Sequence, residues 1–498
     1  MTARRVEVAI VGAGFAGLGM AIALQRAGRD DLVLLERAAS VGGTWRENTY
    51  PGVACDVPAH LYGFAEYPRP DAPGVYARGA EIRAYLEDVA ARERLGERLR
   101  LRTAVTAARW DVAAAVWRIE TAGPTAETFE AEVLVLACGR LTEPSIPDIA
   151  GLETFPGPMF HSARWDHDVP LADARVALVG TGASAVQILP ELARTAAHVT
   201  LFQRTPAWIV PRGDAPYTDA ERRRLIDDPD ALARLRRTLY LQGEDRFASR
   251  SGDAAASEAA RAEALAHLHA QVADPALRAA LTPDYAFGCT RVLLSDDFYP
   301  AVAGDRVTLE PTALAQVDGA RLMSAAGRAH DADVVILATG FASAQQPYAA
   351  LVRGEDDVTL AEHWAAGMTS FASTVVSGFP NLFVLNGPNA SLGHNSAVLM
   401  IQEQAAYAVN ALAHRDTMPD GVLRVRPDAE VAYTAEIDAA AASTPWITGG
   451  CRSWYVDPRS GRLTLLWPGT VDAFRARLAR TDGSEFAPAP ARAGKGAP

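Results

Sequence analysis

Glycine spacing carries the first chemical signal in this chain. Residues 6–36 read VEVAIVGAGFAGLGMAIALQRAGRDDLVLLE, where an apolar strand runs into Gly12, Gly14 and Gly17, a helix follows, and a second strand ends at Glu36. Glycines allow a tight turn and close approach of a pyrophosphate, the helix N-terminus faces its charge, and the acid accepts hydrogen bonds from a ribose. The segment therefore predicts a dinucleotide site. A second copy, RVALVGTGASAVQILPELA at 175–193, presents Gly180 and Gly182 with Ala185 in the third position, which asks only for close helix packing. The offset that carries Gly12 to Glu36 carries Gly180 to Arg204. Exchange of an acid for Arg is the change expected for a 2′-phosphate, so the second site is expected to prefer NADPH over NADH. The plainer reading of Arg204 is a solvated charge at a strand end.

Two further residues could do chemistry. The stretch GGTWRENTYPGVACD at 42–56 is dense in Gly, Pro and aromatics and reads as a loop with specified turns, passing along the flavin if the first dinucleotide is FAD. Disulfide reductases of related architecture carry a CxxxxC pair here, and Cys55 stands alone, which argues against that reaction. Asp56, among apolar and aromatic neighbours, must be paired or neutralised unless it is a surface turn residue. Arg291, in GCTRVLLSDDFYPAV, stands just before an apolar run and by itself reads as an ordinary ion-pair partner. His267 and His269 lie on an Ala-rich helical stretch and are given no role.

The elements that must position these residues fill 498 residues, too many for one core. No apolar run approaches the roughly 20 residues that span a bilayer, and MTARR runs directly into a strand without an export signal. A net charge of −12 without a basic run argues against nucleic acid as a partner. Cys55, Cys138, Cys289 and Cys451 are widely separated, form no CxxC, and are expected as idle thiols in a reducing cytoplasm. No metal site is expected, and oligomeric state is not readable. The fold class is α/β, with two Rossmann-like dinucleotide-binding domains and a helical insertion. Residues 101–136 alternate as two or three strands, 217–280 suggest two or three amphipathic helices, 331–341 form a buried strand, and a helix begins near Asn395. The expected division is 1–145 and 378–482 for the first, FAD-binding domain; 146–213 and 288–377 for the second, NADP-binding domain; 214–287 for the insertion; and 483–498 as a disordered tail.

Between the two glycine turns lies FPGPMFHSARWD, residues 155–166. Its Phe155, Gly157, His161, Trp165 and Asp166 resemble the fingerprint of type I Baeyer-Villiger monooxygenases. The ordinary flavin-containing monooxygenases lack the terminal Trp and Asp or Pro. GGTWRENTYPG, the ATG at 338–340, GFPNLF and SWY at 453–455 also resemble family motifs. The resemblance implies that NADPH reduces FAD, that dioxygen adds at flavin C4a, and that the peroxyflavin attacks a ketone to give an ester or lactone. Arg291 then matches the family's active-site arginine, Asp56 the carboxylate that holds it, and Trp454 a tryptophan contacting the nicotinamide nucleotide. His161 and Trp165 resemble organisers of an interdomain linker. The expected cofactor-binding positions also include Thr44, Trp45, Tyr62 and Val105, and Thr181, Ser184, Gln187 and Thr205. Two departures stand out: Thr290 replaces a Lys before the arginine, and the GANIPGK that follows in the cyclohexanone type is missing after SWY. The alternatives are a flavin N- or S-oxygenase, an NADPH oxidase or reductase, and a nucleotide-binding protein without turnover.

Overall fold

The computed structural model describes residues 3–124 and 126–487. Its first sheet is built on strand Arg4–Val11, flanked in parallel by Leu32–Leu35 on one side and Thr128–Leu136 on the other. These strands are buried on both faces, which is why their sequences are nearly continuous Val, Leu and Ile rather than alternating. Val11 aligns with both Leu35 and Leu136, so three strand ends converge on the Gly12 turn. Leu99–Arg100 and Leu382–Val384 extend the parallel part, and the antiparallel strands Ala104–Asp111 and Val116–Ala122 complete the sheet.

A second sheet is wholly parallel, in the order Val307–Glu310, His198–Phe202, Arg175–Val179, Val334–Leu337, Met159–His161. The protein is thus α/β with two Rossmann-like domains. A helical insertion interrupts the second domain between strands His198–Phe202 and Val307–Glu310, and folds as Asp219–Asp227, Pro229–Asp245, Ala248–Ser251, Ala254–Gln271 and Pro275–Leu281. Its ends are pinned together, because Ile209–Val210 pairs in parallel with Leu293–Leu294 and Trp208 Nε1 donates to the Tyr285 carbonyl at 3.1 Å. That clamp sets the position of Arg291.

Three expectations need correction. The chain rejoins the first sheet well before 378: Val352–Arg353 pairs with Ala108 and Arg109, so much of 341–377 belongs with the first domain. Residues 483–487 of the expected tail are packed, with Phe486 and Glu485 buried and Ala487 N–H donating to the Arg424 carbonyl at 2.7 Å. Phe486 stacks on His414, an aromatic contact that the surrounding Pro, Ala and Gly obscure. Residues 488–498 lie outside the described residues. Finally, Cys289 and Cys451 form a disulfide across 162 residues of sequence, while Cys55 and Cys138 are free. The two loops abut, with Ala286 N–H donating to the Gly449 carbonyl at 2.9 Å, an adjacency that Cys spacing does not encode. This pairing removes the basis for reading all four thiols as idle. No helix among the described residues is long and apolar enough to cross a membrane.

Candidate active site

The first turn has the geometry that a pyrophosphate needs. Gly12 has φ +104°, and a Cβ there would sit 2.5 Å from the Ala137 carbonyl oxygen; a Cβ on Gly17 would sit 1.9 Å from the Gly12 oxygen. Gly14 caps helix Phe15–Arg26 without a side-chain bond and without an acid in the first turn, leaving its N–H groups free for an anion. Glu36 is buried, and each of its oxygens accepts one backbone N–H, from Ala13 and from Ala38, both at 2.9 Å. A carboxylate held this way keeps lone pairs for a ribose diol. These residues fit FAD. Thr44 and Trp45 open the short helix Thr44–Glu47, Trp45 Nε1 donates to Tyr62 Oη at 3.3 Å, and Tyr62 packs edge-on to Phe15. Val105 lies on strand Ala104–Asp111 opposite Thr121.

The second turn repeats the plan. Gly180 has φ +114° and approaches the Ala338 carbonyl, Ala185 is fully buried, and helix Ala183–Thr195 again starts without side-chain cap or acid. Gly182 has open space around it. The Thr181 hydroxyl donates to the Thr205 carbonyl at 2.7 Å, joining the glycine turn to the strand end that carries Arg204. Arg204 is exposed and makes no ion pair among the described residues. Thr290 turns its hydroxyl to Tyr285 Oη at 3.1 Å, so of the two positions considered for the 2′-phosphate only Arg204 offers a cation. Gln187 accepts from Tyr50 Oη at 3.1 Å and donates to the Ala54 carbonyl at 3.0 Å, and Ser184 stands in the first turn of helix Ala183–Thr195. Gln187 thereby ties the second domain to the loop leading into Asp56.

Asp56 lies on strand Ala54–Pro58, and its Oδ2 accepts from Arg291 Nε at 2.8 Å and Nη2 at 2.5 Å, across 235 residues of sequence. Burial pushes the Asp56 carboxyl up, but the charge and hydrogen bonds of Arg291 outweigh it and hold it below the usual carboxylate range. The same charge raises Arg291, whose guanidinium stays protonated. The pair is deeply embedded yet keeps 29% and 24% of its side-chain surface open, so it faces an interior space rather than a packed core. Arg212 supports it, donating from Nη2 to the Cys55 carbonyl at 3.0 Å. Buried Tyr455 lies beside Arg291 without a well-formed hydrogen bond, and Trp454 packs against it with ring centres 4.4 Å apart.

FPGPMFHSARWD is not a free linker. Met159–His161 is the edge strand of the second sheet, and Phe155 is buried in that domain's core. A Cβ on Gly157 would sit 2.2 Å from the Asp333 carbonyl oxygen. Trp165 packs edge-on to Phe160, and Asp166 caps its own turn by accepting from Asp168 N–H. His161 accepts from Ala163 N–H at 3.1 Å, and burial lowers its pKa to about 4, so it is neutral at ordinary pH. The link to the first domain comes from neighbours: Arg164 reaches Glu47 and Glu143, and His167 bonds Thr49 at 2.8 Å. Glu244, at the end of helix Pro229–Asp245, has a role that its sequence context does not mark. It accepts from Asn395 Nδ2 at 2.9 Å and lies 3.6 Å from His394 Nε2, holding the start of helix Ala397–Arg415. An acid near a helix end carries no such message in sequence.

Fold and site define the class as an oxidoreductase with two dinucleotide sites. A family model described as pyridine nucleotide-disulphide oxidoreductase matches residues 9–218. A Baeyer-Villiger monooxygenase of Streptomyces coelicolor is 44% identical over 98% of this chain and 94% of its own. One of Pseudomonas aeruginosa is 39% identical over 97% and 92%. Among solved structures, cyclohexanone monooxygenase from Rhodococcus sp. Phi1 bound to NADP+ superposes with a TM-score of 0.85, at 25% identity over 96% of this chain and 97% of that one. The chain belongs to the Baeyer-Villiger monooxygenases and is a flavin-dependent monooxygenase.

Proposed function

We propose that the protein uses FAD and NADPH to insert one oxygen atom of O2 beside a ketone carbonyl, giving an ester or lactone by the flavin-activated oxygen route that the sequence resemblance implies. The observation that carries this reading is the Arg291–Asp56 pair, embedded yet partly open, in a chain that carries two dinucleotide turns. FAD, when bound and reduced, supplies activated dioxygen. The chain's part is to hold the cofactors by the glycine turns, exclude water, and place a fixed positive charge where negative charge develops on oxygen. In a dry site the Arg291 guanidinium stabilises that charge far more than it would in water. Asp56, by gripping Nε and Nη2, fixes the guanidinium plane and leaves Nη1 free to donate. Helix Ala397–Arg415 starts at Ser396 with no acid in its first turn, and its positive end suits an anionic reduced flavin.

The deciding experiment is NADPH consumption by the purified yellow protein over a panel of ketones and sulfides, with products identified by mass. Esters or lactones from ketones are expected. Sulfoxides alone would favour heteroatom oxygenation, and hydrogen peroxide alone an oxidase. For the second dinucleotide, Arg204→Ala is expected to raise KM for NADPH roughly ten-fold or more, the scale of a lost charge-assisted contact, while barely moving KM for NADH. Equal effects on both would place the 2′-phosphate elsewhere.

A further inference from the structure

The mechanism above uses Arg291 and Asp56 and leaves two more guanidinium groups nearby without a carboxylate, Arg250 buried and Arg140 half-buried. Arg250 stands on the short helix Ala248–Ser251 with only 8% of its surface exposed. Its Nη1 donates to the Arg246 carbonyl at 3.2 Å, its Nε has no partner, and it forms no ion pair among the described residues. Arg140 follows the first domain's closing strand. It donates from Nη1 to Asn386 Oδ1 at 3.0 Å and from Nη2 to Ser391 Oγ, both neutral partners, and its Nε is also unpaired. Burial, with the positive charge of neighbouring arginines (Arg291 for both, and Arg246 for Arg250) adding to it, lowers both groups to about 10. Three guanidinium groups thus share a neighbourhood whose counter-charge is Asp56, already committed to Arg291.

Burying unpaired charge is costly, and a chain with a net charge of −12 has carboxylates to spare. Retention of two lone cations here means that negative charge arrives with what binds. The dinucleotide phosphates are accounted for by the glycine turns and Arg204. Arg140, held by Asn386 and Ser391 in the loop that leads into helix Ala397–Arg415, would meet the negative charge of a reduced flavin held at that helix start. Arg250 belongs to the opposite wall. A Cβ on Gly288 would lie 3.2 Å from Arg250 Cα, so the Arg291 loop rests on it. Phe247 of the same turn packs with Trp446 and Tyr455, and Gly252 lies against Ser443 and Pro445. The same 443–455 segment walls a cavity of about 420 Å³, with Trp446, Ile447, Arg452 and Ser453 in its lining.

Resting on the ketone-oxidation reading of this site, we propose that Arg250 is a specificity residue that binds a carboxylate on the substrate, so that the enzyme prefers ketones carrying an acid group remote from the carbonyl. Arg452, exposed in the lining of the neighbouring cavity, adds positive charge to that side of the protein. The test compares 2-octanone with 7-oxooctanoate, ketones of equal carbon count that differ in the terminal carboxylate, on the holoenzyme at fixed ionic strength. The expected KM is lower for the acid by roughly ten-fold or more, the scale of one charge-assisted bond. In Arg250→Met that ratio should fall to about one; Arg250→Lys should restore part of it, which a merely structural role would not do. Equal KM values in the parent enzyme, or an unchanged ratio in Arg250→Met, overturn the proposal. So does a rise in KM for NADPH with the ketone ratio intact, which would assign Arg250 to the nucleotide. If neither ketone yields an ester, the ketone reading fails separately. Binding of 7-oxooctanoate, followed by the flavin absorbance, then decides the anion site: binding lost in Arg250→Met supports it, and no binding sinks it.

Discussion

Arg291→Ala is expected to take up FAD, to be reduced by NADPH at close to the parent rate, and to make no ester. Hydride transfer from nicotinamide to flavin moves no charge onto the position that Arg291 faces, whereas oxygen transfer to a carbonyl creates an oxyanion there. Loss of one preorganised donor in a water-excluded site costs about a hundred- to a thousand-fold in rate, and a full positive charge lost should sit at or beyond the upper end. Reducing equivalents would then leave as hydrogen peroxide. The substitution also strands Asp56, which accepts two of the guanidinium's hydrogen bonds. Removing one partner of a buried pair destabilises by about 3–5 kcal/mol, so flavin content must be measured first. Arg291→Lys keeps a charge for Asp56 but loses the fork, and separates lost folding from lost chemistry. Rapid-mixing absorbance for flavin reduction and mass detection of ester supply the readouts. A normal ester yield from either variant would remove Arg291 from the role given to it.

The second large effect is expected at Gly17. An alanine there would put its Cβ 1.9 Å from the Gly12 oxygen and 2.9 Å from the Gly12 carbonyl carbon. Both are backbone atoms of the turn itself, so no flexible side chain can yield. Either the helix withdraws from the sheet or the turn opens, and in both cases the N–H groups at the start of helix Phe15–Arg26 lose their aim. Gly17→Ala should therefore purify colourless, with less than about a tenth of the parent flavin, since even modest overpacking costs about 1–3 kcal/mol and this contact is severe. Gly96→Ala is the control. Its Cβ meets nothing within 4 Å and should leave the protein yellow. Parent-level flavin in Gly17→Ala would show that this turn does not hold the cofactor.

What could be read before any coordinates were known follows a physical rule. Local chemistry is legible: the glycine turns, the buried acid at Glu36 and the helix start near Asn395, found at Ser396, depend on residues close in sequence. Contacts across the chain are not. Asp56 alone announced only that it needed a partner; joining it to Arg291 took a family resemblance, since nothing local distinguishes that arginine from Arg250 or Arg140. The two-residue strand at Val352 was missed because so short a strand has no periodicity, and its pairing with Ala108 depends on tertiary packing. Phe486 was lost inside a Pro, Ala and Gly background that resembles a tail. The bonds of Gln187 to Tyr50 and Ala54 are equally illegible, because a position next to a glycine turn does not reveal which way its side chain leaves the helix.

The disulfide sets a mechanical limit. Cys289 sits two residues before Arg291, beside the helical insertion, and Cys451 sits three before Trp454, in a segment that continues to Leu465 and Leu466 against the first domain. The bond is therefore a leash across the seam between the two halves. With Cα atoms 6.2 Å apart at the knot and at most about 3.6 Å of reach per residue, the backbones of Arg291 and Trp454 cannot separate by more than about 25 Å, however far the domains swing. The arginine and the aromatic wall are thus tethered, and any movement between the domains keeps them within that reach.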